Sequence, residues 1–230
     1  MHIMELLKAE MHCHNIFSNG HVGSLEPIHD CNVTISQQLE QAYLTGLDVL
    51  FVTNHNTIDG YKQMLEYKKK YRKFDTLSVY PAEEVTTDNE SHVLVYGVDH
   101  AIKSGLSLHE ILDEAKKQDA VTIAPHPFSL MDALRDDSIY CDLFEVFNSC
   151  NVDVYSNLRA KKFAKDEALH VVAGSDSHVQ STIGRSTNLI YSENKLDSVI
   201  AAMKHHKITI ENTGYLQPKE ALEHIRYKIQ

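Results

Sequence analysis

The 230-residue sequence predicts an α/β fold, a distorted (β/α)7 TIM-like barrel, on three observations. Short runs rich in Val, Ile, Phe and Tyr alternate with longer amphipathic runs. Some short runs are apolar on both faces, as strands buried in a parallel sheet are. A His, Asp or Glu stands at or near one end of nearly every short run, where barrels of this kind assemble their sites.

Taken in order, strands are predicted at 6–12, 48–53, 77–84, 92–98, 121–124, 143–148, 170–174 and 208–212. Helices are predicted at 36–45, 57–70, 107–118, 154–167, 194–205 and 218–228. Ser107-Leu108-His109-Glu110 has the S-x-x-E form of a capping box. Gly46 stands where a helix C-terminal glycine is expected. A short Asp88-Asn89-Glu90 turn joins the third and fourth strands, which predicts a local hairpin. About seven repeats suit one barrel domain, 1–230, with 190–230 as terminal strand and helix elements packed on it. No Pro/Gly-rich linker, low-complexity stretch or internal repeat divides the chain.

Hydrophobic residues are 43% and charged residues 23%, enough apolar material for a globular core. No apolar run approaches the ~20 residues of a membrane helix. The N-terminus lacks a basic region followed by an apolar one, so a cytoplasmic location is expected. Cys13, Cys31, Cys141 and Cys150 form no CxxC pair, which disfavours zinc-ribbon and thioredoxin chemistry and predicts free thiols. A net charge of −10 disfavours broad DNA or RNA binding. It leaves phosphate chemistry open where metal cations present the positive charge. Fifteen histidines, spread from His2 to His224, are several-fold above ordinary usage and too dispersed for a tag.

Their positions carry the chemistry. His12 and His14 form His-x-His at the end of the first strand, where alternation turns both to one face and Cys13 to the other. His55 follows the second strand, Glu84 ends the third with Glu83 beside it, and His92 opens the fourth. His126 follows the fifth between Pro125 and Pro127, and Asp176 and His178 follow the last core strand in Gly-Ser-Asp-Ser-His. His92, at a strand start, fits this set if its strand runs antiparallel to its neighbour. Imidazoles with carboxylates suit Zn²⁺, Mn²⁺ or Fe²⁺, and a bridging carboxylate lets two ions sit ~3.5–4 Å apart. Serine-hydrolase, P-loop and dinucleotide-binding signatures are absent.

His12-x-His14 with Ser18-Asn19-Gly20, Thr53-Asn54-His55-Asn56-Thr57, Pro81-Ala82-Glu83-Glu84, His92 to Gly97, Pro125-His126-Pro127-Phe128, Glu145-Val146-Phe147-Asn148 and Gly174-Ser175-Asp176-Ser177-His178 resemble the PHP (polymerase and histidinol phosphatase) family. The match runs in family order from about Glu10 to Arg185, most of the chain. The resemblance implies a distorted seven-stranded barrel with a trinuclear site. It implies His12, His14, Glu84 and Asp176 around a first ion, Glu84 bridging to a second completed by His92 and His126, and His55 and His178 on a third. The family usually has Asp where this chain has Asn19 and Asn54, so a weakened third site is expected. His21 is read as a surface loop residue rather than a substitute ligand.

The expected function is hydrolysis of a phosphomonoester, nucleotide or short oligonucleotide by attack of a metal-bound hydroxide, with two or three Mn, Fe or Zn ions. Histidinol phosphate is the alternative substrate, and a non-catalytic metal-binding or regulatory barrel the alternative of another class. No lysine is placed like a carbamate bridge, which disfavours an amidohydrolase. No extended duplex and no membrane is expected as partner. Arg185, as a bidentate phosphate clamp or equally a structural salt bridge, and His178, as a ligand of the third ion, are the candidates for direct catalytic roles. Arg159 and Arg135 are weaker candidates. The basic run 68–73 reads as a solvated helix face, and His205, His206 and His224 as surface residues. Cys13 reads as a packed thiol, and Asn148 as a strand terminator or a hydrogen-bonding group in the site.

Overall fold

The computed structural model describes residues 3–24 and 28–228; His2 lies outside them. The chain runs β1 (Glu5–Glu10), α1 (Ile35–Leu44), β2 (Val49–Val52), α2 (Asp59–Lys68), β3 (Ser78–Thr86), β4 (His92–Tyr96), α3 (Leu108–Lys117) and β5 (Val121–Ala124). It continues with β6 (Leu143–Asn148), α4 (Val154–Asp166), β7 (Val171–Gly174), β8 (Thr187–Ser192), α5 (Leu196–Lys204), β9 (Ile208–Asn212) and α6 (Pro218–Lys228).

The sheet order is β7-β6-β5-β4-β3-β2-β1-β8-β9. Just beyond β1 and β7 the backbone of Cys13 bridges that of Ser177 in parallel, and the His14 N–H donates to the Ser177 carbonyl at 3.0 Å. Strands β1 to β7 therefore make a nearly closed barrel, with β8 antiparallel along β1 from Glu5 to Ala9 and β9 antiparallel to β8. The distortion has two causes. β3 and β4 form the expected hairpin, so β4 is antiparallel to both β3 and β5, and His92 comes to the same barrel end as the C-termini of the other strands. Between β5 and β6 the connection carries a 3-10 helix, Arg135–Tyr140, rather than an α-helix.

β8 is the strand the sequence reading omits. It opens with the polar pair Thr187 and Asn188, which breaks the apolar signature. Asn188 is fully buried. Its side-chain oxygen accepts from the Ala173 N–H at 3.0 Å and its amide donates to the Ala173 carbonyl at 2.7 Å. One side chain thus replaces the missing strand ladder across the β7–β8 seam. Asn188→Leu leaves both Ala173 groups buried and unpaired, and thermal denaturation is expected to report a loss of about 3 kcal/mol. A loss below about 1 kcal/mol would show that the seam does not depend on this amide.

Inside the barrel, Leu7, Met11, Phe51, Tyr96, Ile123 and Leu143 pack in one cluster, and Val199, Ile200 and Met203 of α5 join it from the end away from His12 and His14. Helices α1 to α4 pack outside. The α3 capping box is formed by Ser107 and Glu110, as the sequence predicts. Gly46 follows α1 at φ +66, and the Leu47 N–H reaches back to the Ala42 carbonyl at 3.0 Å, closing the helix end. All four cysteines are free thiols, and the Cys13 thiol donates into the core to the Phe51 carbonyl at 3.2 Å. Among the described residues no helix is long and apolar enough to cross a membrane.

Candidate metal centre

The strand ends converge on Glu84. β2 and β3 continue as an isolated bridge between His55 and Glu84, which sets these residues side by side. Alternation along β3 turns Glu84 into the barrel mouth, while Glu83 points away and accepts from the Ile102 N–H at 2.7 Å. Glu84 is buried, and its two oxygens face different partners. Oε2 lies 3.2 Å from His12 Nε2, 3.2 Å from His14 Nε2 and 3.7 Å from His55 Nε2. Oε1 lies 3.0 Å from His92 Nδ1 and 3.0 Å from His126 Nε2. Asp176 adds Oδ1 at 3.5 Å from His12 Nε2 and 3.4 Å from His14 Nε2. His126 and Asp176 sit at φ +28 and +50, left-handed conformations that L side chains adopt under constraint from their surroundings.

A further carboxylate completes the arrangement. Asp30, in the loop before α1, is buried, with Oδ1 at 3.0 Å from His178 Nε2 and Oδ2 at 3.9 Å from both His14 Nδ1 and His55 Nε2. Asn19 and Asn54 stand back from the cluster. Asn54 Oδ1 accepts from the Asn15 N–H at 2.9 Å and the Ser18 hydroxyl at 3.2 Å. Asn19 Oδ1 accepts from the backbone N–H groups of Asp30, at 2.7 Å, and Cys31, at 2.9 Å. Asn19 therefore holds the loop that presents Asp30, and the third group of donors has a carboxylate despite both asparagines.

A second layer aims these donors. Glu145 Oε1 is 3.0 Å from His12 Nδ1, which turns Nε2 inward, and Oε2 accepts from the His126 N–H at 2.6 Å and Asn148 Nδ2 at 2.9 Å. Asn148 also donates to Asp176 Oδ2 at 3.2 Å. Gly174 leaves room for this: a Cβ there would overlap the Glu145 carboxylate. Asp132 lies 3.3 Å from His126 Nδ1. Below the site, Glu10 is fully buried and accepts from the Gly184 N–H at 2.7 Å, the His12 N–H at 3.1 Å and the Ser175 N–H at 3.3 Å. Burial pushes its carboxyl up to about 7 against these bonds.

The donor set fits divalent cations. Two ligand atoms each ~2.1 Å from one ion lie about 3.0–3.4 Å apart at octahedral or tetrahedral angles. The separations around Glu84 and Asp176 span 3.0 to 3.5 Å, apart from the longer one to His55. His14 Nε2 and Asp30 Oδ2 are buried with no hydrogen bond, which a shared cation would satisfy. Electrostatics agree. Burial alone would raise the carboxyls of Glu84, Asp30 and Asp176, yet the surrounding histidines hold all three well below the usual range.

Burial alone would likewise lower His14 and His126. Asp176 and Glu84 raise His14 to about 9, and Asp132 and Glu84 raise His126 to about 9. Both are imidazolium in the metal-free protein at pH 7. A cation must displace those protons. Loading Mn²⁺ at pH 7 is expected to release about two protons or more, read by calorimetry in buffers of different ionisation enthalpy. Metal affinity should climb as pH rises toward 9. These imidazoliums stabilise the metal-free fold fully below pH 6.5, and that contribution fades as pH rises from 6.5 through 9. Proton-neutral uptake would contradict the proposed ligand set.

The structure does not bring Arg185 to this cluster. Its guanidinium pairs with Glu220 of α6 and donates to the Ser181 carbonyl at 3.5 Å. Arg159 stacks on the Phe128 ring at 4.3 Å, and Arg135 is exposed. His21 is exposed. His224, expected at the surface, instead lines the site: its ring stacks on His178 at 4.7 Å and lies 3.4 Å from the Cys150 thiol. Burial, with His178 and Lys228 nearby, pulls its pKa down to about 3. The cluster opens into a cavity of about 640 Å³ walled by the loops after β5 and β6 and by α6. Asp30, Glu145, Asp132, His224 and Lys228 are the site residues to which the sequence reading assigned no role in the site.

A family profile described as PHP-associated matches residues 154–208, from α4 into β9. The uncharacterized protein MJ1587 of Methanocaldococcus jannaschii is 33% identical over 166 residues, 70% of this chain and 93% of that protein. The chain belongs to the PHP family. Solved structures share the fold. PsfC from Pseudomonas syringae superposes with a TM-score of 0.64 at 19% identity, covering 98% of each chain. Endonuclease Q, in complex with a 27-mer duplex substrate carrying an abasic lesion at its active site, gives 0.63 at 16% identity, covering 87% of this chain and 57% of that one.

Proposed function

We propose that this PHP protein is a metal-dependent phosphoesterase acting on a compact phosphorylated molecule, a phosphomonoester or nucleotide. The observation that carries the reading is the division of Glu84, one oxygen toward His12 and His14 and the other toward His92 and His126. A carboxylate divided in this way could serve two adjacent cations. His12, His14, Glu84 and Asp176 would hold the first ion, Glu84, His92 and His126 the second, and His55, His178 and Asp30 a third.

Divalent ions bound there supply Lewis acidity at the phosphoryl oxygens and a lowered pKa of water. The chain's own residues supply placement. Glu145 fixes the His12 ring, Asn148 fixes Asp176, and Asn19 fixes the loop of Asp30. Donors held in position need little reorganisation as charge develops on the phosphoryl group. The cavity is of small-molecule size. Lys228 is the one Lys or Arg among its described lining residues, a poor match to the many phosphates of a duplex.

The test is to purify the protein without a metal-chelating tag, determine bound metal by elemental analysis, and assay it with Mn²⁺. The panel holds p-nitrophenyl phosphate, histidinol phosphate, nucleotide bisphosphates, short RNA and an abasic-site DNA duplex. About two or more equivalents of Mn, Fe or Zn with turnover of a phosphate ester is expected. Metal with no turnover of any ester would favour the non-catalytic binding role, and absence of bound transition metal would overturn the assignment.

A further inference from the structure

Helix α6 lies across the cavity. Ala221, His224, Ile225 and Lys228 of this helix form one wall. Lys228 reaches the cluster, its Nζ 3.3 Å from Asp30 Oδ1, while a quarter of the side chain stays exposed. The opposite walls mix polar groups with exposed apolar side chains. Leu130 and Met131 follow β5, Val152 follows β6, and with Ile225 they line the mouth at 69, 73, 87 and 57% exposure. Scattered exposed apolar side chains are ordinary, but three separate segments placing them around one opening above buried charged groups make a site with two chemistries.

Resting on the phosphoesterase reading, we infer that the substrate is an amphipathic phosphomonoester and that Lys228 binds its phosphate. The dianionic group sits between the His/carboxylate cluster and the Lys228 ammonium. The organic group lies outward against Leu130, Met131, Val152 and Ile225. A lysine suits this place because its flexible four-carbon stem lets the ammonium leave Asp30 and follow the phosphate. The acidic Asp132 and Asp153 of the same lining disfavour a polyanion, whose further phosphates would meet them.

Two measurements on the metal-loaded full chain decide it. The first compares 1-naphthyl phosphate with glycerol 3-phosphate: kcat/KM is expected to favour the naphthyl ester by about tenfold or more, and Met131→Ser with Ile225→Ser to cut that ratio by about fivefold or more. The second measures the Kd of inorganic phosphate by calorimetry. Lys228→Met should weaken it about tenfold or more at unchanged metal content, and Lys228→Arg should recover most of the loss. In turnover the loss should fall on KM rather than kcat. Equal use of the two esters, preference for abasic-site DNA over both, or phosphate binding within about twofold of wild type in Lys228→Met would each overturn the inference. If wild type binds phosphate through Lys228 but cleaves no ester, the phosphoesterase reading fails while the phosphate site stands.

Discussion

Glu84→Gln is expected to lower metal-supported turnover by about a thousandfold and to leave the purified protein with fewer bound ions. The change is nearly isosteric, so packing is preserved. What is lost is a charge that faces five imidazoles, with oxygens 3.0 Å from His92 and His126 and 3.2 Å from His12 and His14. An amide presents one acceptor and one NH₂ group, so one of the two sets of imidazoles meets a donor instead of an anion. Were Glu84 to bridge two ions, losing about 4 kcal/mol of transition-state stabilisation would correspond to roughly a factor of 10³. The neighbouring substitution is the control. Glu83 points to the other side of β3, with its carboxyl pushed up to about 7 by burial and one oxygen on the Ile102 N–H. Glu83→Gln resembles its protonated form and should keep its metal and activity within about threefold. Elemental analysis with steady-state kinetics reads both variants. Equal losses in the two would mean that strand alternation does not select the bridging residue.

Such alternation is why much of the site was legible in the sequence. His12, His14, His55, Glu84, His92, His126, Asp176 and His178 stand at strand ends, and strand ends at one side of a barrel converge whatever the helices do. The buried strands were legible because they lie apolar on both faces. β8 was not, because its inward Asn188 is polar for a tertiary reason: it pairs with the Ala173 backbone across the seam. Arg185 reads equally as a phosphate clamp or a structural salt bridge, because its partner, Glu220, lies far along the chain and no local pattern links them; the structure forms the salt bridge. His224 reads as a surface residue and Lys228 only as the end of a terminal helix, since nothing in an amphipathic period tells which barrel end the helix will cross.

Asp30 was the largest omission, and it yields the second sharp expectation. Periodicity does not reach into the loop it occupies, so only its neighbours in space identify it. Asp30→Asn removes the carboxylate that faces His178 at 3.0 Å and His14 and His55 at 3.9 Å. Turnover is expected to fall about 10–100-fold, with the ions at Glu84 retained and the overall metal content reduced. Asn19→Asp, which restores the residue usual in the family, is expected to give no gain. Asn19 Nδ2 donates to the Cys31 carbonyl at 3.0 Å and to the Tyr227 hydroxyl at 3.2 Å. A carboxylate keeps the two bonds that Asn19 accepts but sets an oxygen against the Cys31 carbonyl. A stability loss of about 1–2 kcal/mol should appear in denaturant titrations. Were Asn19→Asp to raise turnover while Asp30→Asn left it unchanged, the third group of donors would belong to position 19. The opposite pattern means that the chain moved its acid eleven residues along the loop and kept position 19 as the clamp that holds it.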